Sequence, residues 1–140
     1  MMFGWFTQSK HRKVNFEMVQ NAQFHSNEYF LINTMPLTEQ DCLITGTLDA
    51  TREESILNEM LNTVNVPDKK IIVYGKNAHD DTVFKKASQL EQLGVKDVFI
   101  YVGGMFEWLL LQDIYGTTTF TTSKNVLDIL KYKPVKSTFE

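Results

Sequence analysis

The residues best placed to do chemistry form one short run, Gly75-Lys76-Asn77-Ala78-His79-Asp80-Asp81, between an apolar stretch and a helical pattern. Successive backbone N–H groups ahead of a helix can cradle an anion without any nucleophile. Lys76 favours an anion there, whereas Asp80 and Asp81 oppose one. His79 beside two carboxylates raises acid–base or metal chemistry as a second reading. The plainer role of Asp80 or Asp81 is to cap the following helix. No second histidine or cysteine stands at zinc-ligand spacing, so neither metal nor cofactor is expected. His11 and His25 lie in flanking or loop regions and carry no pattern.

Cys42 is the single thiol. It reads as a buried, inert small hydrophobe. A role as a sulfur acceptor would require a cation nearby to stabilise the thiolate. Gly103-Gly104 lacks the spacing of a nucleotide-binding fingerprint, and a turn explains it. The run Met105, Phe106, Trp108, Leu109, Leu110 and Leu111 has only Glu107 as a polar interruption before Gln112. A helix that is apolar almost all round must be covered on more than one side. Either the C-terminal segment covers it, or Met105, Phe106, Trp108, Leu109 and Leu110 form a surface for a protein partner or a second copy.

The chain is long enough for one domain, and at 43% hydrophobic and 22% charged residues it can build a core. A net charge of −3 argues against nucleic acid as a partner. The one basic cluster, Lys10-His11-Arg12-Lys13, reads as a solvated arm. A lone cysteine fits a cytoplasmic or other reducing compartment. No apolar run approaches a membrane span. The start, MMFGWF, is too short for a signal-peptide core, Met2 stands where myristoylation needs glycine, and Trp5 or Phe6 is expected to fold back on the domain.

These residues need a scaffold, and the middle of the chain supplies alternating strand and helix patterns. FLIN (30–33), CLITGTL (42–48), KIIVY (70–74) and DVFIYV (97–102) read as strands. Thr51 and Glu54 have capping-box spacing, and Ile56, Leu57, Met60 and Leu61 follow on one helical face. Pro67-Asp68 marks a turn. Val83, Ala87 and Leu90 recur at helical spacing until Gly94. Val126, Ile129 and Leu130 share a face of a last short helix, stopped by Pro134. The expected fold is a three-layer α/β/α domain with a mainly parallel sheet of about five strands. The expected organisation is an arm over 1–13, a domain over 14–116 and an extension over 117–140 packed on it. Sites in such sheets lie at the carboxyl ends of the strands, after Asn33, Tyr74 and Val102.

Residues 71–108, from Ile71 to Trp108, resemble the second half of rhodanese-like domains. The matching pieces are Tyr74, Leu93-Gly94, Val98 to Val102, Gly103-Gly104 and Trp108. More loosely, VNFEMVQNA, YFLINTMP and TGTLDA resemble pieces of the first half, so the likeness covers about 14–116. The resemblance implies a nucleophilic cysteine at position 75, where this chain has Gly75. It implies an arginine about where Asp80 stands, and an aspartate where Asn33 stands. The expectation is therefore a pseudoenzyme that acts as a protein-interaction, regulatory or structural module. The alternatives are an atypical sulfurtransferase using Cys42, or an anion or ligand binder using the 75–81 loop.

Overall fold

The computed structural model describes residues 11–63 and 69–135. The expectations for Trp5, Phe6 and the Pro67-Asp68 turn lie outside the described residues.

Four strands form one parallel sheet in the order β1-β4-β3-β2: β1 (Arg12–Val14), β2 (Tyr29–Asn33), β3 (Lys70–Tyr74) and β4 (Val98–Tyr101). Four helices connect and cover it: α1 (Phe16–Phe24), α2 (Ala50–Asn62), α3 (Thr82–Gln92) and α4 (Gly104–Tyr115). Side chains alternate between the faces of a strand, and here both faces are buried. Ile72, Tyr74, Leu31 and Tyr101 join one core with residues of α1 and α4. Ile71, Val73, Ile32 and Ile100 join the other with residues of α2 and α3. The chain crosses the sheet from β1 to β2, then reverses direction. With right-handed crossovers, that reversal sends α2 and α3 to the opposite face from α1.

Local chemistry starts and stops these helices. The Asn15 side chain accepts from the N–H groups of Glu17 and Met18 to begin α1. Gly94, at φ +111°, ends the α3 region in a conformation that disfavours a side chain. Val83, Ala87 and Leu90 point inward, as their spacing predicts. The start of α2 differs from expectation. Asp49, not Thr51, is the N-cap, and its carboxylate takes both the N–H and the hydroxyl of Thr51.

Three further expectations need correction. Residues 42–48 do not form a fifth strand; they touch the fold through single bridges, Leu31 to Thr47 and Ile44 to Thr122. Gly46, at φ +99°, breaks the extended run, and the Ile44 N–H is taken by the Tyr74 hydroxyl in place of a neighbouring strand. The expected arm ends earlier than residue 13, because Arg12–Val14 pairs with β4. There Arg12 bonds Asp97 at 2.8 Å and lies 4.2 Å over the Phe99 ring, while His11 is buried. In the extension, the expected helix is a single 3-10 turn, Ile129–Tyr132. Val126 and Ile129 are partly buried, but Leu130 faces outward, and the anchors are Phe120 and Tyr132.

Candidate functional site

The loop at the carboxyl end of β3 is held from three directions. Its first two carbonyls, of Gly75 and Lys76, accept the N–H groups of Met105 and Phe106 at 2.9 Å each, which fastens it to the start of α4. Gly104 makes that approach feasible. It sits at φ +67°, and a Cβ there would stand 2.7 Å from the Gly75 carbonyl and 3.0 Å from the Asn77 nitrogen. From the C-terminal segment, the Tyr132 carbonyl accepts from Asn77 Nδ2 at 3.0 Å. From the 3-10 turn Leu37–Glu39, the Glu39 carboxylate meets Lys76 Nζ at 2.6 Å.

The interior of the loop is filled by its own side chain. Asp80 Oδ2 accepts from the Lys76 N–H at 3.0 Å, and Oδ1 accepts from the Thr82 N–H at 3.1 Å. Asp80 is thus the side-chain cap of α3, and Asp81 makes no such bond. Gly75 is buried and presents no side chain. A Cβ added there would meet Asp80 Oδ2 at 2.5 Å and Thr34 Oγ1 at 3.1 Å. Asn77 Oδ1 accepts from the His79 N–H and tightens the turn, while Ala78 and His79 face solvent. So the structure brings Gly75, Lys76, Asn77 and Asp80 together and leaves Ala78, His79 and Asp81 outside. Among the described residues, no three His, Cys, Asp or Glu side chains gather as a metal site.

Tyr74, the residue before the loop, is fully buried with its hydroxyl bonded to Thr47 Oγ1 at 2.7 Å and to the Ile44 N–H at 3.1 Å. Burial pushes its phenol far above the ordinary tyrosine range. The Tyr101 hydroxyl donates to Glu107 at 2.6 Å, and burial raises that phenol likewise. Asn33, at the end of β2, is buried; its Oδ1 accepts from the Met35 N–H, and its Nδ2 has no partner among the described residues.

Cys42 is buried, and its thiol donates to the Lys124 carbonyl at 3.2 Å. Burial pushes the thiol above its ordinary range, which keeps it protonated.

The apolar face expected on α4 is mostly interior. Met105, Trp108 and Leu109 are core residues and cannot line a surface in the folded chain. The segment after Gly116 covers them. Trp108 Nε1 donates to the Thr121 carbonyl, Gln112 Nε2 donates to the Phe120 carbonyl, and the Trp108 and Phe120 rings meet edge to face at 5.0 Å. Phe106 is half-buried. Leu110 remains exposed and shares its flank with Ile114, one turn on, whereas Tyr115 lies on the side where its ring meets Phe120.

Sequence reasoning had no route to three of these contacts: Asn77 to Tyr132, Lys76 to Glu39, and Tyr74 to Thr47. Each joins residues far apart in the chain, and the participants are ordinary polar residues without a motif. No helix among the described residues is long and apolar enough to cross a membrane.

The sequence finds no match among curated proteins. Solved structures share its architecture. The BH2092 protein from Bacillus halodurans matches at TM-score 0.56 and 13% identity, over 81% of this chain and 80% of its own. A Rhodopseudomonas palustris protein, RPA3614, described as of unknown function and a possible tyrosine phosphatase, matches at 0.53 and 18%, over 77% and 84%. The single-domain sulfurtransferase RDL2 of Saccharomyces cerevisiae matches at 0.51 and 20%, over 75% and 94%. At such identities the likeness is one of fold. The family model for the rhodanese-like domain matches residues 22–111, which include β2, β3, β4 and the 75–81 loop, and the chain therefore belongs to the rhodanese-like domain family.

Proposed function

We propose that this chain is a non-catalytic rhodanese-like module that works through protein interaction, regulation or structural support. The observation that carries the reading is the Asp80 carboxylate. It holds the Lys76 and Thr82 N–H groups inside the loop and stands where a side chain at position 75 would begin. A cradle already filled by an anion of its own has no room for a persulfide and repels a second anion. This also weighs against the anion-binding alternative. Against Cys42 as a sulfur acceptor stand its burial and its raised, protonated thiol. A reducing compartment suits the free thiol. The exposed flank of Leu110 and Ile114 offers an apolar contact for a partner or a second copy.

The test is intact-mass spectrometry after thiosulfate treatment, with Cys42→Ser as control. The expected result is no cyanide-removable gain of sulfur. A gain that disappears in Cys42→Ser would make Cys42 the acceptor and overturn the reading. The loop can be probed separately. Gly75→Cys alone is expected to take up little sulfur, because Asp80 occupies its space. Gly75→Cys combined with Asp80→Ala should take up more, since that change frees the Lys76 N–H.

A further inference from the structure

A cavity of about 320 Å³ sits where the last turns of α1, the start of β2, residues 45–46 and residues 118–121 meet. Tyr29 opens β2, whereas Gly75 follows the last residue of the parallel neighbour β3, so the cavity and the 75–81 loop lie at opposite ends of the sheet. Cavities of this size hold small molecules. The floor is formed by Ala22, Tyr29 and Leu31, all buried. Gly46 stands over it at φ +99°. A Cβ there would lie 3.8 Å from Leu31 Cδ1, so the glycine leaves the space above that leucine open.

The walls are already built. Gln20 Nε2 donates to the Thr119 carbonyl at 3.1 Å, and Gln23 Nε2 donates to the Thr45 carbonyl at 2.9 Å and to Thr121 Oγ1 at 3.2 Å. These bonds tie α1 to both loop segments. They also fix the amides, because a carbonyl partner demands an N–H. Each glutamine therefore keeps its own carbonyl oxygen as an acceptor, and no protein donor takes either oxygen among the described residues. None of the described residues lining the cavity is charged. An ionised ligand would lose its water there without gaining a counter-charge. Phe24, 86% exposed, stands on the rim. A lone exposed aromatic is ordinary, but this one lies one turn beyond Gln20 and offers a ring for stacking beside the two free acceptors.

We propose that this cavity binds an uncharged, flat heteroaromatic molecule of indole or purine size. Its ring N–H groups donate to the carbonyl oxygens of Gln20 and Gln23, and its face lies against Phe24. Such an occupant braces the 118–121 segment against α1. The site stands apart from the 75–81 loop and does not depend on whether the chain carries sulfur.

The probe is indole, titrated into the full chain and followed by proton–nitrogen NMR. Indene, which has the same shape without the N–H, and indole-3-acetate, which adds a carboxylate, are the controls. Indole is expected to shift the side-chain amides of Gln20 and Gln23 and the backbone amides of 45–46 and 118–121. It should bind roughly three- to ten-fold more tightly than indene, as befits one neutral hydrogen bond, and more tightly than indole-3-acetate. Thr45→Trp places a large ring in the mouth and should abolish the shifts. Thr45 is exposed, so the melting transition of that variant should match the parent. Phe24→Ser, at another exposed residue, should weaken indole by roughly three- to ten-fold through the lost ring contact. No shift at these groups, equal binding by either control, or unchanged binding in Phe24→Ser or in folded Thr45→Trp overturns the proposal.

Discussion

The two faces of the sheet are built from different materials. The face under α2 and α3 is aliphatic: Ile32, Ile71, Val73, Leu90 and Ile100 pack there without a polar handle among them. The face under α1 and α4 is aromatic, with Tyr74, Tyr101, Trp108, Phe120 and Tyr132 at its centre. Three of those five use a polar atom to hold distant chain: Tyr74 holds 44–47, Trp108 holds Thr121, and Tyr132 holds Asn77 through its carbonyl. The aliphatic face is closed by α2 and α3, the helices that join neighbouring strands. The aromatic face is closed by the segment after Gly116, which falls beyond the family match. The extension therefore belongs to the core and is no appendage. Polar groups at an apolar face need partners, and this segment supplies them.

Deleting residues 117–140 strikes the difference hardest. It exposes Trp108 and removes Phe120 and Tyr132, so the truncated chain is expected to lose its cooperative urea transition. A truncated chain with an unchanged midpoint would dissolve the distinction between the faces. Next in size is a matched pair of core truncations. Trp108→Ala should cost about 3–5 kcal/mol and Leu90→Ala about 2–5 kcal/mol by chemical denaturation. Only Trp108→Ala should also speed amide exchange in 117–123, because only it touches that segment. Smallest is Tyr74→Phe, expected to cost about 1–2 kcal/mol through the unmade bonds of Thr47 and Ile44. Tyr74 also gives the comparison a pH signature. Its folded phenol is raised, so it is neutral in the fold while the unfolded phenol ionises. The stability it contributes is present below the ordinary tyrosine range and falls as pH climbs through and above it. Alkaline unfolding followed by tryptophan fluorescence should be shallower in Tyr74→Phe than in the parent. An identical slope would place the alkaline sensitivity elsewhere.

The aliphatic face was the more legible of the two. Ile71 to Tyr74 and Val98 to Tyr101 are continuous apolar runs, and Val83, Ala87 and Leu90 repeat at helical spacing, so local pattern alone locates them. β1 was not legible. Three residues, Arg12-Lys13-Val14, carry no period, and their partner in β4 lies more than eighty positions away. The 42–48 run misled because its β-branched residues match a strand, while the decisive facts are the Gly46 dihedral and the Tyr74 hydroxyl. At the candidate site, the glycine at 75, where the resemblance implies a cysteine, and a capping role for Asp80 or Asp81 could be read directly. That the second oxygen of Asp80 turns inward to the Lys76 N–H could not, since it depends on how tightly the loop closes.

Among the described residues the sheet has two open sides, and each is blunted. On one, β1 is only three residues long and begins with Arg12 and Lys13. On the other, the 44–48 segment lies against β2, with the Leu48 N–H donating to the Leu31 carbonyl and Thr47 bridging Leu31. An unprotected strand edge invites another chain to pair with it, and short, charged or covered edges prevent this. A parallel sheet whose strands are this apolar would be sticky while folding. The failed fifth strand thus serves the protein better as a cover than it would as a strand, because a full ladder there would have presented a fresh edge for aggregation.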